Sequence, residues 1–145
     1  MSKTNIEFIN HASVLISCGK INLLSDPWYS GEVFHHGWRL IYELQDSRIV
    51  DVLKKTTHIY ISHEHPDHFS PPFFLNKNIK KILIEKNIEI LFQYTQDKRV
   101  VSFLKKNGFN IREFNLNEKI NLSDEMQAQI IKHDFYDSSL VLKTP

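Results

Sequence analysis

Three of the chain's eight histidines, His63, His65 and His68, fall within one six-residue string, HEHPDH, with Asp67 beside the last. Imidazole and carboxylate are the donors that hold a borderline cation such as zinc. On an extended segment the side chains of residues i and i+2 point the same way, so His63 and His65 can grip one ion together. Asp67 and His68 project differently and can serve a second ion nearby. Pro66 stiffens the turn between the two pairs and lowers the entropy lost on forming a site. The competing reading is a solvated loop in which histidines gather without a shared task. HxHxDH spacing at the exit of a buried strand favours the metal site.

The elements that must position this string are legible around it. His58 to Ser62 (HIYIS) is a short, mostly apolar strand of the kind buried on both faces. Upstream, Ile6 to Ile9, Ser13 to Cys18 and Ile21 to Ser25 read as strands, with Gly19-Lys20 as a tight turn between the last two. Asp26 to Trp38 is a loop of turn residues and aromatics. Asp46 or Ser47 caps a helix whose face carries Ile49, Val50 and Leu53. Ser70-Pro71 starts a helical stretch that runs towards a strand at Ile88 to Phe92. Asp97 caps a further helix, with Val100, Val101, Phe103 and Leu104 as its stripe and Gly108 as its stop. Ile111 to Phe114, Gln129 to Lys132 and Ser139 to Leu142 complete the strands. Strands first, then helices alternating with strands, predict one layered α/β (α+β) domain over residues 1–145.

Composition narrows the partners. At 145 residues the chain can bury one real core. Eighteen Lys and Arg against seventeen Asp and Glu leave a net charge of +1, which argues against a dedicated nucleic-acid binder. A single cysteine, Cys18, excludes an internal disulfide, fits a reducing compartment and is expected in the core. There is no apolar run able to span a bilayer or act as a targeting core, so the cytoplasm is the expected location. The expected partner is a small-molecule substrate, with no nucleic acid or membrane, and a homo-oligomer is compatible with the composition. The lysines between Lys77 and Lys86 read as a solvated helix face. His35 and His36 are given no metal role. Trp28, Tyr29, Phe34 and Trp38 are more commonly buried under such a loop than set around a ligand.

THIYISHEHPDHFS resembles the signature of the metallo-β-lactamase fold superfamily, in which such a loop follows a buried strand. HASVLI and INLLSDPWYSG resemble that superfamily's opening hairpin and Asp-Pro turn. DPWYSGEVFHHGW followed by a helix is most similar to the branch of CMP-N-acetylneuraminate hydroxylase-like proteins, and ascorbate-phosphate lactonase-like hydrolases are similar in outline. The resemblance runs from about Ile6 to Leu142. It implies the N-terminal portion of an αββα sandwich. It also implies that His63 and His65 bind a first metal and that Asp67 and His68 belong to a second. His133, the only histidine after His68, is the implied third ligand of the first site; the alternative is a strand-end histidine facing water. His11 resembles the histidine of the family's GHAS-type element, with Asn10 in place of glycine, and is expected beside the metals or the substrate. Its alternative is a bond to turn backbone. Asp26 is expected to accept from a metal-bound imidazole, or else to serve as an Asx-turn residue before Pro27.

The expected chemistry is attack of a metal-activated water on an ester, lactone, amide or phosphoester, with Asp67 orienting the nucleophile and taking its proton. Zinc is the expected cofactor, as one or two ions, with iron or manganese as alternatives. The family pattern continues with a bridging aspartate on a strand after DSSLVL and a later histidine. Asp134 and Asp137 come too early to stand in for that aspartate, so the chain is expected to be truncated at the C-terminus, with a sheet face and edge left uncovered. The hydroxylase branch also requires a Rieske centre of two cysteines and two histidines, which one cysteine does not supply. The alternative function is a non-catalytic, metal-binding half-domain that acts by association. A nuclease of the same superfamily is disfavoured by the balanced charge.

Overall fold

The computed structural model describes residues 2–133 and 136–145. The chain opens as a meander of strands β1 (Asn5–Asn10), β2 (Ser13–Cys18) and β3 (Ile21–Ser25). The aromatic loop then holds a small hairpin, β4 (Glu32–Val33) and β5 (Trp38–Arg39), before helix α1 (Asp46–Lys55). Strand β6 (His58–Tyr60) precedes the HEHPDH loop, helices α2 (Pro71–Leu75) and α3 (Lys77–Glu85), and strand β7 (Glu89–Gln93). Helix α4 (Arg99–Lys106) and strands β8 (Asn110–Phe114), β9 (Lys119–Ser123), β10 (Met126–His133) and β11 (Asp137–Lys143) follow.

Six strands form one sheet in the order β1-β2-β3-β6-β7-β8, antiparallel across β1 to β3 and parallel from β3 onwards. A three-stranded sheet, β11-β10-β9, makes a second layer. Strand alternation divides the apolar residues between two cores. Leu24, Ile59, Ile61, Ile90 and Phe92 face the helices and meet Val52, Leu53, Leu83 and Leu104. Leu23, Tyr60 and Leu91 point the other way and meet Met126, Ala128 and Ile130 of the second sheet. The layers are therefore helices, sheet, sheet. Cys18 is buried in the second core. Among the described residues, no helix is long and apolar enough to cross a membrane.

Several local features differ from the sequence expectations. Gln45, not Asp46 or Ser47, occupies the N-cap of α1, and Val52 rather than Val50 is buried on its inner face. Asp97 stands one residue ahead of the α4 N-cap, Lys98, yet still accepts from Arg99 N at 2.8 Å. The helical stretch after Ser70 is broken at Asn76, whose side chain caps α3 by accepting from the backbone of Asn78 (3.0 Å) and Ile79 (3.2 Å). Strand β9 was hidden because KINLS contributes only half-buried Ile120 and Leu122. Gly108, at φ +83°, ends α4 as expected of a left-handed C-terminal glycine.

Candidate metal centre

Parallel strands leave their C-terminal ends at one edge of the sheet, and β6 delivers the HEHPDH loop there. Ile61 N still reaches across to Leu91 O (3.1 Å), but Ser62 N is taken by Asp26 Oδ1 (2.7 Å), so pairing stops at this point. Asp26 sits at φ +36° just past β3, tied by its own N–H to Tyr60 O (2.9 Å). His65 O then accepts from His68 N (2.9 Å) and Phe69 N (2.7 Å), closing a turn that starts at Pro66. Phe69 is buried in the helix-side core and anchors the loop. Glu64 accepts from Arg99 (2.9 Å), while His63 is half-buried and His65 exposed at the surface of the loop.

The ring nitrogens converge in two neighbouring groups. His63 Nε2 lies 2.9 Å from His65 Nδ1. Asp67 Oδ2 lies 3.1 Å from His11 Nε2 and 3.3 Å from His68 Nε2. The ligand atoms of His11, Asp67 and His68 all fall within 4.8 Å of one another. The two groups adjoin, since the His63 and His68 ring centroids lie 4.1 Å apart, the rings tilted by 43° to each other. Donors held about 2 Å from one tetrahedral cation stand roughly 3.3 Å apart, so these spacings suit metal ligation.

Hydrogen bonding behind the rings sets which nitrogen faces the site. Asp26 Oδ2 accepts from Ser62 Oγ (2.8 Å) and from His68 Nδ1 (3.0 Å). Ser62 Oγ, its proton given to Asp26, accepts in turn from His63 Nδ1 (2.9 Å). Both rings therefore present Nε2 lone pairs forwards. Asp67 is 4% exposed, and its Oδ1 has no hydrogen-bond partner among the described residues. A buried carboxylate oxygen left unpaired is costly, and a cation is the group that would satisfy it. The donor set thus fits the metal that the residue types imply.

Burial pushes the His63 imidazole below its ordinary range, and the neighbouring imidazoles His68 and His65 add to this against Asp137 and Asp26. For His68, burial works downward. The hydrogen bond and charge of Asp26, with Asp67 and Asp137, outweigh it and raise the ring above its ordinary range.

The structure thus gathers His11, Asp26, His63, His65, Asp67 and His68 at one place. His133 lies exposed at the end of β10, its Nε2 bonded to Ser139 Oγ (2.8 Å). Its cross-strand partner Asp137 brings Oδ1 to 3.7 Å from His63 Nε2. Asp134 lies outside the described residues. Ser62 and Asp137 were not singled out in the sequence as members of the cluster. For Ser62, its place between a buried strand and the first histidine was the available signal. Of the loop aromatics, Trp28 and Tyr29 are buried, whereas Phe34 and Trp38 are exposed. Phe34, His35 and His36 are all left-handed, at φ +52°, +53° and +66°. This conformation costs about 1–2 kcal/mol per residue, and it brings the Phe34 ring to 5.9 Å from His65.

No family model matches the chain. The cytidine monophosphate-N-acetylneuraminic acid hydroxylase of Danio rerio is 31% identical over 111 residues, covering 77% of this chain and 18% of that protein's length. The chain thus spans less than a fifth of the relative it matches. Among solved structures, CmlA, a diiron beta-hydroxylase from Streptomyces venezuelae, superposes with a TM-score of 0.67 at 15% identity, covering 100% of this chain and 28% of that one. A metallo hydrolase from Ignicoccus hospitalis gives 0.63 at 14% identity, covering 97% and 56%. The metallo-beta-lactamase fold protein YhfI from Bacillus subtilis gives 0.53 at 11%, covering 98% and 54%. At these identities the structural matches show the fold alone.

Proposed function

We propose that this chain, which belongs to the metallo-β-lactamase fold superfamily on the branch that includes the cytidine monophosphate-N-acetylneuraminic acid hydroxylases, carries the metal centre of a metal-dependent hydrolase. The observation that carries the reading is the convergence of His11, His63, His65, Asp67 and His68 at the end of β6, with the Oδ2 of buried Asp67 shared between His11 and His68. His63 and His65 would hold one ion, and Asp67 and His68, with His11 beside them, a second. Zinc suits this nitrogen-rich set, and iron or manganese suits the carboxylate-bearing half. A bound divalent cation supplies a Lewis acid and brings water towards ionisation near neutral pH.

The chain's own groups do the rest. Asp26 and Ser62 hold His68 and His63 in the tautomers that face the site. Asp67 is the carboxylate placed to orient water and hold its proton. His133 and Asp137, opposite each other on β10 and β11, are further ligand candidates on the His63 side. The substrate class is a small-molecule ester, lactone, amide or phosphoester, in the cytoplasm. Hydrolysis of a lactone and phosphodiester panel that EDTA abolishes and zinc or manganese restores is the expected result. Bound metal with no turnover across the panel would overturn the hydrolase reading and favour association.

The hydroxylase relatives favour a second reading, oxidative chemistry at the same ligands. Oxygen consumption by iron-loaded protein with a reductant, in the absence of hydrolysis, would favour it.

A further inference from the structure

Gln93 stands two residues beyond Leu91 on β7 and shares its face, the one turned towards the second sheet. It is 2% exposed and lies in register with Phe114 of the same core. Its Nε2 donates to Tyr136 O. A carbonyl only accepts, so the amide nitrogen must face Tyr136, and Oε1 is left without a partner among the described residues. A buried acceptor left unpaired is costly, and an apolar side chain of the same size would fill the space without that cost. What the amide supplies is therefore its hold on Tyr136.

The Tyr136 carbonyl belongs to the peptide plane that ends at Asp137 Cα, so fixing its oxygen fixes the plane from which Asp137 projects. On the other side of Asp137, Ser138 Oγ meets the Oη of Tyr60, 4% exposed, at 2.9 Å and donates to Ser62 O at 2.6 Å. The β10–β11 ladder itself ends at the His133–Asp137 pair. Asp137 is thus an exposed carboxylate at the turn end of a hairpin, yet both residues flanking it are tied to buried side chains of the main sheet. Its Oδ1 stands 3.7 Å from His63 Nε2. Donors of a metal site need such support behind them, because a carboxylate free to swing holds an ion poorly.

We propose that Gln93 is a positioning residue of the metal centre: by holding the Tyr136 carbonyl from β7, it sets the Asp137 carboxylate on the His63 side of the site. The inference rests on the metal-centre reading and on Asp137 as a donor there. It makes β7, which carries no ligand of its own, one of the elements on which the geometry of the site depends.

The test is competition for zinc between the 145-residue chain and a chromophoric chelator, for the parent, Gln93→Met, Asp137→Asn and the double variant, with urea unfolding of each metal-free protein. Methionine keeps the unbranched shape of glutamine and removes both the bond to Tyr136 and the orphaned acceptor. Gln93→Met and Asp137→Asn should each weaken zinc binding about tenfold. The double variant should bind within about twofold of Asp137→Asn, because Gln93 acts through that carboxylate. Metal-free Gln93→Met should unfold at the parent's urea midpoint or above it. Asp137 is exposed, so Asp137→Asn reports on the site independently of any change in folding. Parental zinc affinity in either single variant would overturn the inference and leave the other ligands standing, and so would a double variant weakened by the product of the two single effects. A lowered urea midpoint with parental zinc affinity would assign Gln93 to stability alone. A parent that takes up no zinc would overturn the metal centre and this inference with it.

Discussion

His68 donates its Nδ1 proton to Asp26 Oδ2 across 3.0 Å and turns Nε2 towards Asp67 Oδ2, 3.3 Å away. The two residues are 42 positions apart, and the turn after β3 that carries Asp26 is what joins them. A carboxylate behind an imidazole fixes its orientation and makes it a stronger ligand.

Asp26→Asn should therefore weaken metal binding by about 10- to 100-fold while leaving the ligands themselves in place. Competition with a chromophoric chelator measures this. Affinity equal to the parent would show that Asp26 does not orient His68.

Proton release follows from the opposed shifts of two rings. Burial holds the His63 ring below the ordinary imidazole range, whereas Asp26 holds His68 above it, so His68 keeps its proton to higher pH than His63. Ligation needs neutral imidazole, so metal uptake near pH 6.5–7 should expel a proton, chiefly from His68, and affinity should rise with pH until that ring is neutral. In the metal-free chain, a raised His68 stabilises the fold fully below the unfolded value of 6.5 and loses that contribution as pH rises through its folded value. Titration calorimetry in two buffers of different ionisation heat counts the protons. A buffer-independent heat at pH 6.8 would contradict the assignment.

The two sheets are also joined by a polar chain under the loop, in which Tyr60 Oη meets Ser138 Oγ (2.9 Å) and Ser138 Oγ donates to Ser62 O (2.6 Å). Ser138→Ala leaves a buried phenol without this partner and should cost about 1–3 kcal/mol. Tyr60→Phe removes the phenol and should cost less, about 1 kcal/mol, because Ser138 keeps its bond to Ser62. Urea unfolding of the metal-free variants orders the two, and the reverse order would show that the chain is not the link.

Removing the Asn76 side chain tests the break between α2 and α3. Asn76→Ala forfeits two backbone hydrogen bonds at the start of α3 and should lower stability by about 0.5–2 kcal/mol. A change smaller than that in chemical denaturation would mean packing, not capping, sets the helix boundary.

Much of this architecture was legible because burial is periodic. The alternation of Leu23 with Leu24, and of Ile59 with Tyr60, divides one sheet between two cores, and the apolar runs of β3 and β6 announce it. HEHPDH was legible because its donors are close in sequence. The resemblance placed His11 beside the metals or the substrate, but its contact with Asp67 itself was not legible, because it depends on how two loops 56 residues apart meet at one sheet edge. Nor was the β4–β5 hairpin, whose turn uses Phe34, His35 and His36 in a conformation that ordinary residues disfavour. Asp137 was set aside as too early in the chain for the family's bridging aspartate, for a related reason. Its nearness to His63 comes from the stacking of one sheet on the other, and no local pattern records that.

The central claim is that the residues around β6 hold metal, and metal content tests it most directly. Protein purified without chelator should carry about one to two equivalents of zinc, iron or manganese by plasma mass spectrometry. His63→Ala and His68→Ala should each lose at least half of it while keeping the parent's far-ultraviolet circular dichroism. A metal-free parent that takes up no added zinc, or variants that retain its full content, would contradict the account.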